Sequence, residues 1–165
     1  MATNKDEAMR PRAVIDENAV QIKFLNKDGS LSEAPKELDV IPVIEIEVEQ
    51  HTSGGIRASK ALALMDTGAD HRAIDKYFAE NLGFESSGIT TSSGIGGFAK
   101  DINYYNLNYR VKTNGDTKYL NGNFAAPSLT DTGRKYQVLL GMSFMQKGRL
   151  IMDSKTHEYL FEFND

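Results

Sequence analysis

The stretch Lys60-Ala61-Leu62-Ala63-Leu64-Met65-Asp66-Thr67-Gly68-Ala69-Asp70 decides how the rest of the chain is read. Ala61 to Met65 is an apolar run of strand length that ends abruptly on an acid, a hydroxyl and a glycine. A carboxylate set directly behind a buried strand is costly to desolvate, so such an acid is either functional or held by hydrogen bonds. Thr67 offers a hydroxyl from inside the turn, and Gly68 allows backbone to approach a partner closely. Asp66 is therefore the first candidate for chemistry.

Working outward, the segment before it supplies a hairpin partner. Leu38 to Val48 has β-branched character at Val43, Ile44, Ile46 and Val48, with Glu45, Glu47 and Glu49 on one face. His51 to Ile56 forms the returning loop. Upstream, Ala19 to Leu25 alternates as a single strand before the turn Asn26-Lys27-Asp28-Gly29. Residues 1–18 are polar and aperiodic, which marks a flexible tail ahead of a domain spanning 19–165. Downstream, Ile74, Phe78 and Leu82 recur at i, i+4 and i+8 between Asp75, a candidate N-cap, and Gly83, a candidate stop, giving one short helix. Ser86 to Gly97 is rich in Ser, Thr and Gly and is expected to form no core and to be mobile. Tyr105, Leu107, Tyr109 and Val111 alternate towards the hairpin turn Asn114-Gly115, with Tyr119-Leu120 beyond it. Phe124 to Pro127 reads as another short strand, Val138 to Leu140 as a buried strand, and Gly141 to Lys147 as a helical turn. Leu150 to Met152 and Tyr159 to Phe163 form a last hairpin. Many short strands with little helix predict an all-β, barrel-like domain.

Three ordered motifs resemble those of one family. Ala63 to Asp70 is similar to the active-site motif of the single-lobe, retroviral-type aspartic proteases (retropepsins). Ser93-Gly94-Ile95-Gly96-Gly97-Phe98 resembles their flap tip, and Val138 to Phe144 the apolar-apolar-glycine segment that leads into their late helix. The resemblance spans roughly residues 40 to 163, and Met142 after Gly141, the long N-terminal extension and the extra hairpin after Ile151 make the chain look more like a cellular or bacterial member than a retroviral one. It implies a single-lobe retropepsin-like acid-protease barrel with one or two short helices, active as a C2 homodimer. It implies an aspartic endopeptidase acting on extended polypeptides, with Asp66 catalytic and Thr67, Gly68 and Ala69 supporting the active site. Asp70, Gly94, Ile95, Gly96, Gly97, Phe98 and Leu140 would then contact substrate. Two carboxylates sharing one proton are needed for this chemistry, and a two-fold dimer supplies the second Asp66. Ala69 lacks a serine's hydroxyl, so the dyad pKa is expected to lie above that of serine-containing relatives. Met142 stands where retroviral members often carry an arginine that supports this network. A catalytically silent, retropepsin-like peptide-binding or dimerisation domain is the alternative. For residues 1–18 the resemblance implies a second possibility beside the flexible tail, a pro-segment trimmed by the enzyme itself.

The repeated tripeptide Asp131-Thr132-Gly133 reads as a surface turn, since no apolar strand precedes it and no apolar helix follows. Only 65 positions (131 − 66) separate the two aspartates, too few for a second lobe between them. The 165-residue length likewise supports a single domain. Having no cysteine, the chain has neither disulfides nor thiolate chemistry. His51, His71 and His157 lack metal-ligand spacing, so neither metal nor cofactor is expected. Gly94 to Ala99 spells a formal dinucleotide signal but lacks the strand before it and the helix after it. A net charge of −4 and the absence of basic runs argue against nucleic acid. No apolar run approaches the roughly 18 residues of a membrane span, so a soluble, cytoplasmic protein is expected.

Overall fold

A computed structural model describes residues 17–93, 99–130, 133 and 135–164. Twelve strands and two short helices are present among them: β1 (Ala19–Gln21), β2 (Lys23–Leu25), β3 (Leu31–Ser32), β4 (Ile41–Thr52), β5 (Gly55–Met65), β6 (Ala73–Ile74), α1 (Lys76–Leu82), β7 (Gly88–Ser93), β8 (Ala99–Lys112), β9 (Thr117–Ala125), β10 (Val138–Leu140), α2 (Met142–Met145), β11 (Gly148–Asp153) and β12 (Glu158–Phe163). The nine-stranded sheet runs β3-β2-β4-β5-β10-β6-β9-β8-β7. It closes on itself because β4 also pairs with β8, Glu47 to Glu49 lying opposite Arg110 to Asn108. The expected barrel is thus present, with a separate three-stranded sheet, β1-β12-β11, beside it.

The barrel follows from alternation. On β4, Ile44, Ile46 and Val48 are buried with Leu107, Tyr109 and Val111 of β8 and Phe124 of β9, while Glu45 stays exposed. Tyr109 meets Phe124 edge-on at 5.4 Å, the favoured geometry for two rings. A second aromatic group, Phe144, Phe161 and Phe163, fixes α2 against β12 with centroids 4.8 to 5.6 Å apart.

Three local expectations are revised. The run from Ala19 to Leu25 is two strands, since the chain changes sheets at Ile22, whose N–H donates to Tyr159 O (2.9 Å). β1 pairs with β12 and β2 with β4. Ser86 to Gly97 is not wholly a loop: residues 88–93 pair with β8 throughout, so the ladder orders a segment with no core of its own. Phe124 and Ala125 end β9 and form no separate strand. Residues 1–16 lie outside the described residues, but Glu17 and Asn18 are hydrogen-bonded into the fold through Gly115 N–H (3.0 Å) and Phe163 N–H (3.0 Å). The short helix is as read: Asp75 Oδ2 accepts from Phe78 N–H (3.0 Å), and Gly83 closes it at φ 80.

Candidate active site

Asp66 is placed by two strands that are distant in sequence. β10 inserts beside β5 in parallel, with Leu140 opposite Met65, and pairs with β6 on its other side. The ladder continues one step past β5, because Asp66 N–H donates to Leu140 O (3.0 Å). The carboxylate then folds back over its own turn. Asp66 Oδ1 accepts from Gly68 N–H (2.9 Å), and Ala69 N–H donates to Asp66 O (3.3 Å), the side-chain-closed turn that aspartate favours. Asp66 is half-buried, whereas Thr67 and Gly68 are exposed.

Residues 69–71 cross the start of α2. Ala69 O accepts from Met142 N–H (2.7 Å) and Asp70 O from Ser143 N–H (3.0 Å). Gly141 makes this crossing possible: a Cβ there would stand 2.5 Å from Ala69 O and 2.7 Å from His71 O. This is a close approach between two backbones, which only glycine permits. From the same turn, Arg72 Nη1 donates to Ser143 Oγ (3.3 Å), and its guanidinium lies 5.7 Å from the centroid of the Phe124 ring. Position 142 carries a half-exposed methionine, and the guanidinium that reaches α2 comes from residue 72. Beneath it, burial pushes the Tyr109 phenol up from its ordinary value of 10.0, with Arg72 acting in the opposite sense.

A cleft of about 990 Å³ opens beside this turn. Gly68 to Ala73 form one wall, and Ile89 to Thr91 of β7 form part of its lining, with Tyr104, Asn123 and Ala125 also contributing. Pro127, Leu129 and Leu139 complete it. Asp66 is not in the wall itself; Gly68, two residues on, is. Asp66, Thr67, Gly68, Ala69 and Asp70 therefore form one continuous turn, and the last three line the cleft. The five expected flap residues, Gly94, Ile95, Gly96, Gly97 and Phe98, lie outside the described residues, as do Asp131 and Thr132. The strands that flank 94–98 pair as far as Ser93 opposite Ala99. Leu140, expected against substrate, is 0% exposed and belongs to the core, while its neighbour Leu139 lines the cleft. Strand alternation puts adjacent residues on opposite faces, and the phase is set by pairing with β5.

Asp75 has a role beyond its cap. It is 1% exposed, and its Oδ1 also accepts from Leu129 N–H (2.8 Å) and Thr130 N–H (3.2 Å). One buried carboxylate thus fixes both the start of α1 and the loop carrying Pro127 and Leu129 into the cleft. Asp-before-helix was legible in the sequence; the link across 54 positions was not. Among the described residues, no group of three or more His, Cys, Asp or Glu side chains is placed to hold a metal ion, and no helix is long and apolar enough to cross a membrane.

Comparison with known proteins finds no matching family model and no matching curated protein. Solved structures do match. Two of these neighbours are proteases. The chain is similar to a retropepsin-like aspartic protease from Rickettsia conorii, at TM-score 0.44 and 19% identity, over 88% of this chain and 89% of that one. It is also similar to EIAV protease complexed with the inhibitor HBY-793, at TM-score 0.40 and 16% identity, over 72% of this chain and all of that one (100%).

Proposed function

We propose that this protein is an aspartic endopeptidase that works as a homodimer, with one Asp66 carboxylate from each copy. The observation that carries the proposal is the Asp66-Thr67-Gly68 turn. Its carboxylate is oriented by Gly68 N–H, its backbone is tied to β10, and its exposed face is free to meet a second copy beside a peptide-sized cleft. Two such carboxylates facing one another cannot both ionise easily, so they share a proton. The ionised one takes a proton from a water between them as the water oxygen attacks the peptide carbonyl carbon. The protonated one hydrogen-bonds the developing oxyanion. Collapse of the tetrahedral intermediate breaks the C–N bond while a carboxyl proton passes to the leaving nitrogen. Asp70 accepts a hydrogen bond from substrate main chain, and Thr67 braces the paired turns.

The test is cleavage of a denatured protein substrate by wild type and by Asp66→Asn from acidic to neutral pH, at a concentration where the measured mass is that of a dimer. Cleavage by wild type alone upholds the assignment, and its pH profile reports the apparent pKa values of the dyad. Cleavage by Asp66→Asn refutes it. A dimeric wild type that binds peptide without cutting it is instead the silent peptide-binding domain.

A further inference from the structure

Four asparagines occupy the exposed face of β8 and β9 in two directly opposed pairs, Asn106 with Asn123 and Asn108 with Asn121. Asparagine is a poor strand former, and an exposed sheet face is ordinarily filled with Thr, Tyr or Val. Four such choices on one face break a local rule, and broken rules of this kind concentrate at functional surfaces. The four amides form a single connected chain, reciprocal at its centre and donating outward to both ends. Asn106 Nδ2 donates to Asn123 Oδ1 (2.9 Å) and Asn121 Oδ1 (3.1 Å), and Asn121 Nδ2 donates to Asn106 Oδ1 (3.0 Å) and Asn108 Oδ1 (2.9 Å). Both middle NH2 groups are thereby used. The terminal residues, Asn123 and Asn108, have engaged oxygens, and their NH2 groups have no partner among the described residues.

The two ends lie at two hollows. Asn123 is in the lining of the active-site cleft. Asn108 and Asn121 line a second hollow of about 360 Å³, together with Tyr119, which is 75% exposed. Arg110, at the same hollow, is neutralised by an ion pair with Glu47, so the track does not select an anion. The run from Asn123 to Tyr119 spans about 13 Å, the length of about four residues of extended chain.

We infer that this asparagine ladder is an exosite for polypeptide substrate, holding an extended segment that continues out of the cleft towards Tyr119. The free NH2 groups at either end donate to main-chain carbonyls, which every sequence carries, and Tyr119 offers a flat apolar surface to a side chain. The inference rests on the endopeptidase reading for the identity of its ligand. It adds that the enzyme prefers long, unfolded segments to short peptides.

The experiment uses the full chain carrying Asp66→Asn, so that binding is read without turnover. Fluorescence anisotropy compares a labelled peptide just long enough for the cleft with the same peptide lengthened by about six residues at either end. The lengthened peptide should bind at least about tenfold more tightly. Adding Asn108→Thr and Asn121→Thr, which favour the strand, should reduce that advantage to about twofold or less. A tenfold advantage that survives both substitutions overturns the exosite. So does equal affinity for the two lengths, absence of binding by both, or displacement of the long peptide by maltoheptaose, which would mark a glycan surface instead. Ladder-dependent binding alongside a wild type that never cuts would uphold the exosite while removing the endopeptidase reading.

Discussion

Gly141→Ala tests the interlock that holds the Asp66 turn. The new Cβ would lie 2.5 Å from Ala69 O, 2.7 Å from His71 O and 2.9 Å from Ala69 C, all backbone atoms with no rotamer to escape into. Restoring an ordinary contact of 3.4 Å separates the two segments by about 0.9 Å, a small-to-large strain of about 1–3 kcal/mol. That movement stretches the bonds Met142 N–H to Ala69 O and Ser143 N–H to Asp70 O, each contributing about 0.5–1.5 kcal/mol. The expected destabilisation is therefore about 2–6 kcal/mol. It is measured by urea unfolding followed by far-UV circular dichroism. Leu140, the residue before Gly141, anchors Asp66 N–H, so the carboxylate moves with the displaced turn. A misplacement approaching 1 Å costs catalysis about 100-fold, read as kcat/KM for a peptide substrate under conditions where the variant is still folded. A variant within about 0.5 kcal/mol of wild type and with unchanged kcat/KM would refute the interlock.

Asp66→Asn keeps an oxygen for Gly68 N–H, so it should abolish cleavage while moving stability by less than about 1 kcal/mol; unfolding of this variant would make Asp66 a structural residue. Asp75→Ala removes the acceptor of three backbone N–H groups, two of them in the 129–130 segment, and should cost about 3–5 kcal/mol in urea unfolding; a loss below about 1 kcal/mol would mean that water replaces the carboxylate. Three exposed carboxylates are held below their ordinary values: Glu85 by the Ser53 hydroxyl and N–H, Asp28 by the Ser30 hydroxyl and N–H, and Asp153 by the N–H groups of Lys155 and Thr156. Folded values below the ordinary 4.5 and 3.8 mean that their stabilisation is complete above those values and is lost as pH falls through the folded ones. Tm should therefore fall as pH drops below about 4.5, and Ser53→Ala should make that fall shallower; an identical profile in the variant would clear Glu85 of a role. Measured mass should rise with concentration towards that of a dimer, and a chain that is monomeric while cutting would exclude the shared dyad.

Local rules account for what could be read in advance. Helix α1 was legible because its cap, its apolar stripe and its stop all lie within the ten residues from Ile74 to Gly83. The turn at Asp66 was legible because Asp66 to Asp70 is contiguous. Elements that depend on a distant partner were not. Ile22 separates two strands only because Tyr159 offers it a carbonyl. Residues 88–93 look like loop until β8 supplies a ladder. Which of Leu139 and Leu140 faces the cleft is fixed by the register with Ala63 to Met65, and a three-residue strand carries no phase of its own. The second duty of Asp75, and the asparagine ladder that joins two hollows, exist only once remote segments are brought together.

The dependence of Asp66 on Leu140 also has a consequence for the order of synthesis. A ribosome releases Asp66 long before it has made β10, so a nascent chain carries the acid, the threonine and the glycine with nothing to hold them. Asp66 N–H acquires its carbonyl only once residue 140 has emerged, and β1 acquires its partner only with residues 160–162. The Asp66 turn is therefore not held in its final geometry while the chain is still being made. Assembly of the Asp66 turn waits on sequence that lies more than 70 residues further on.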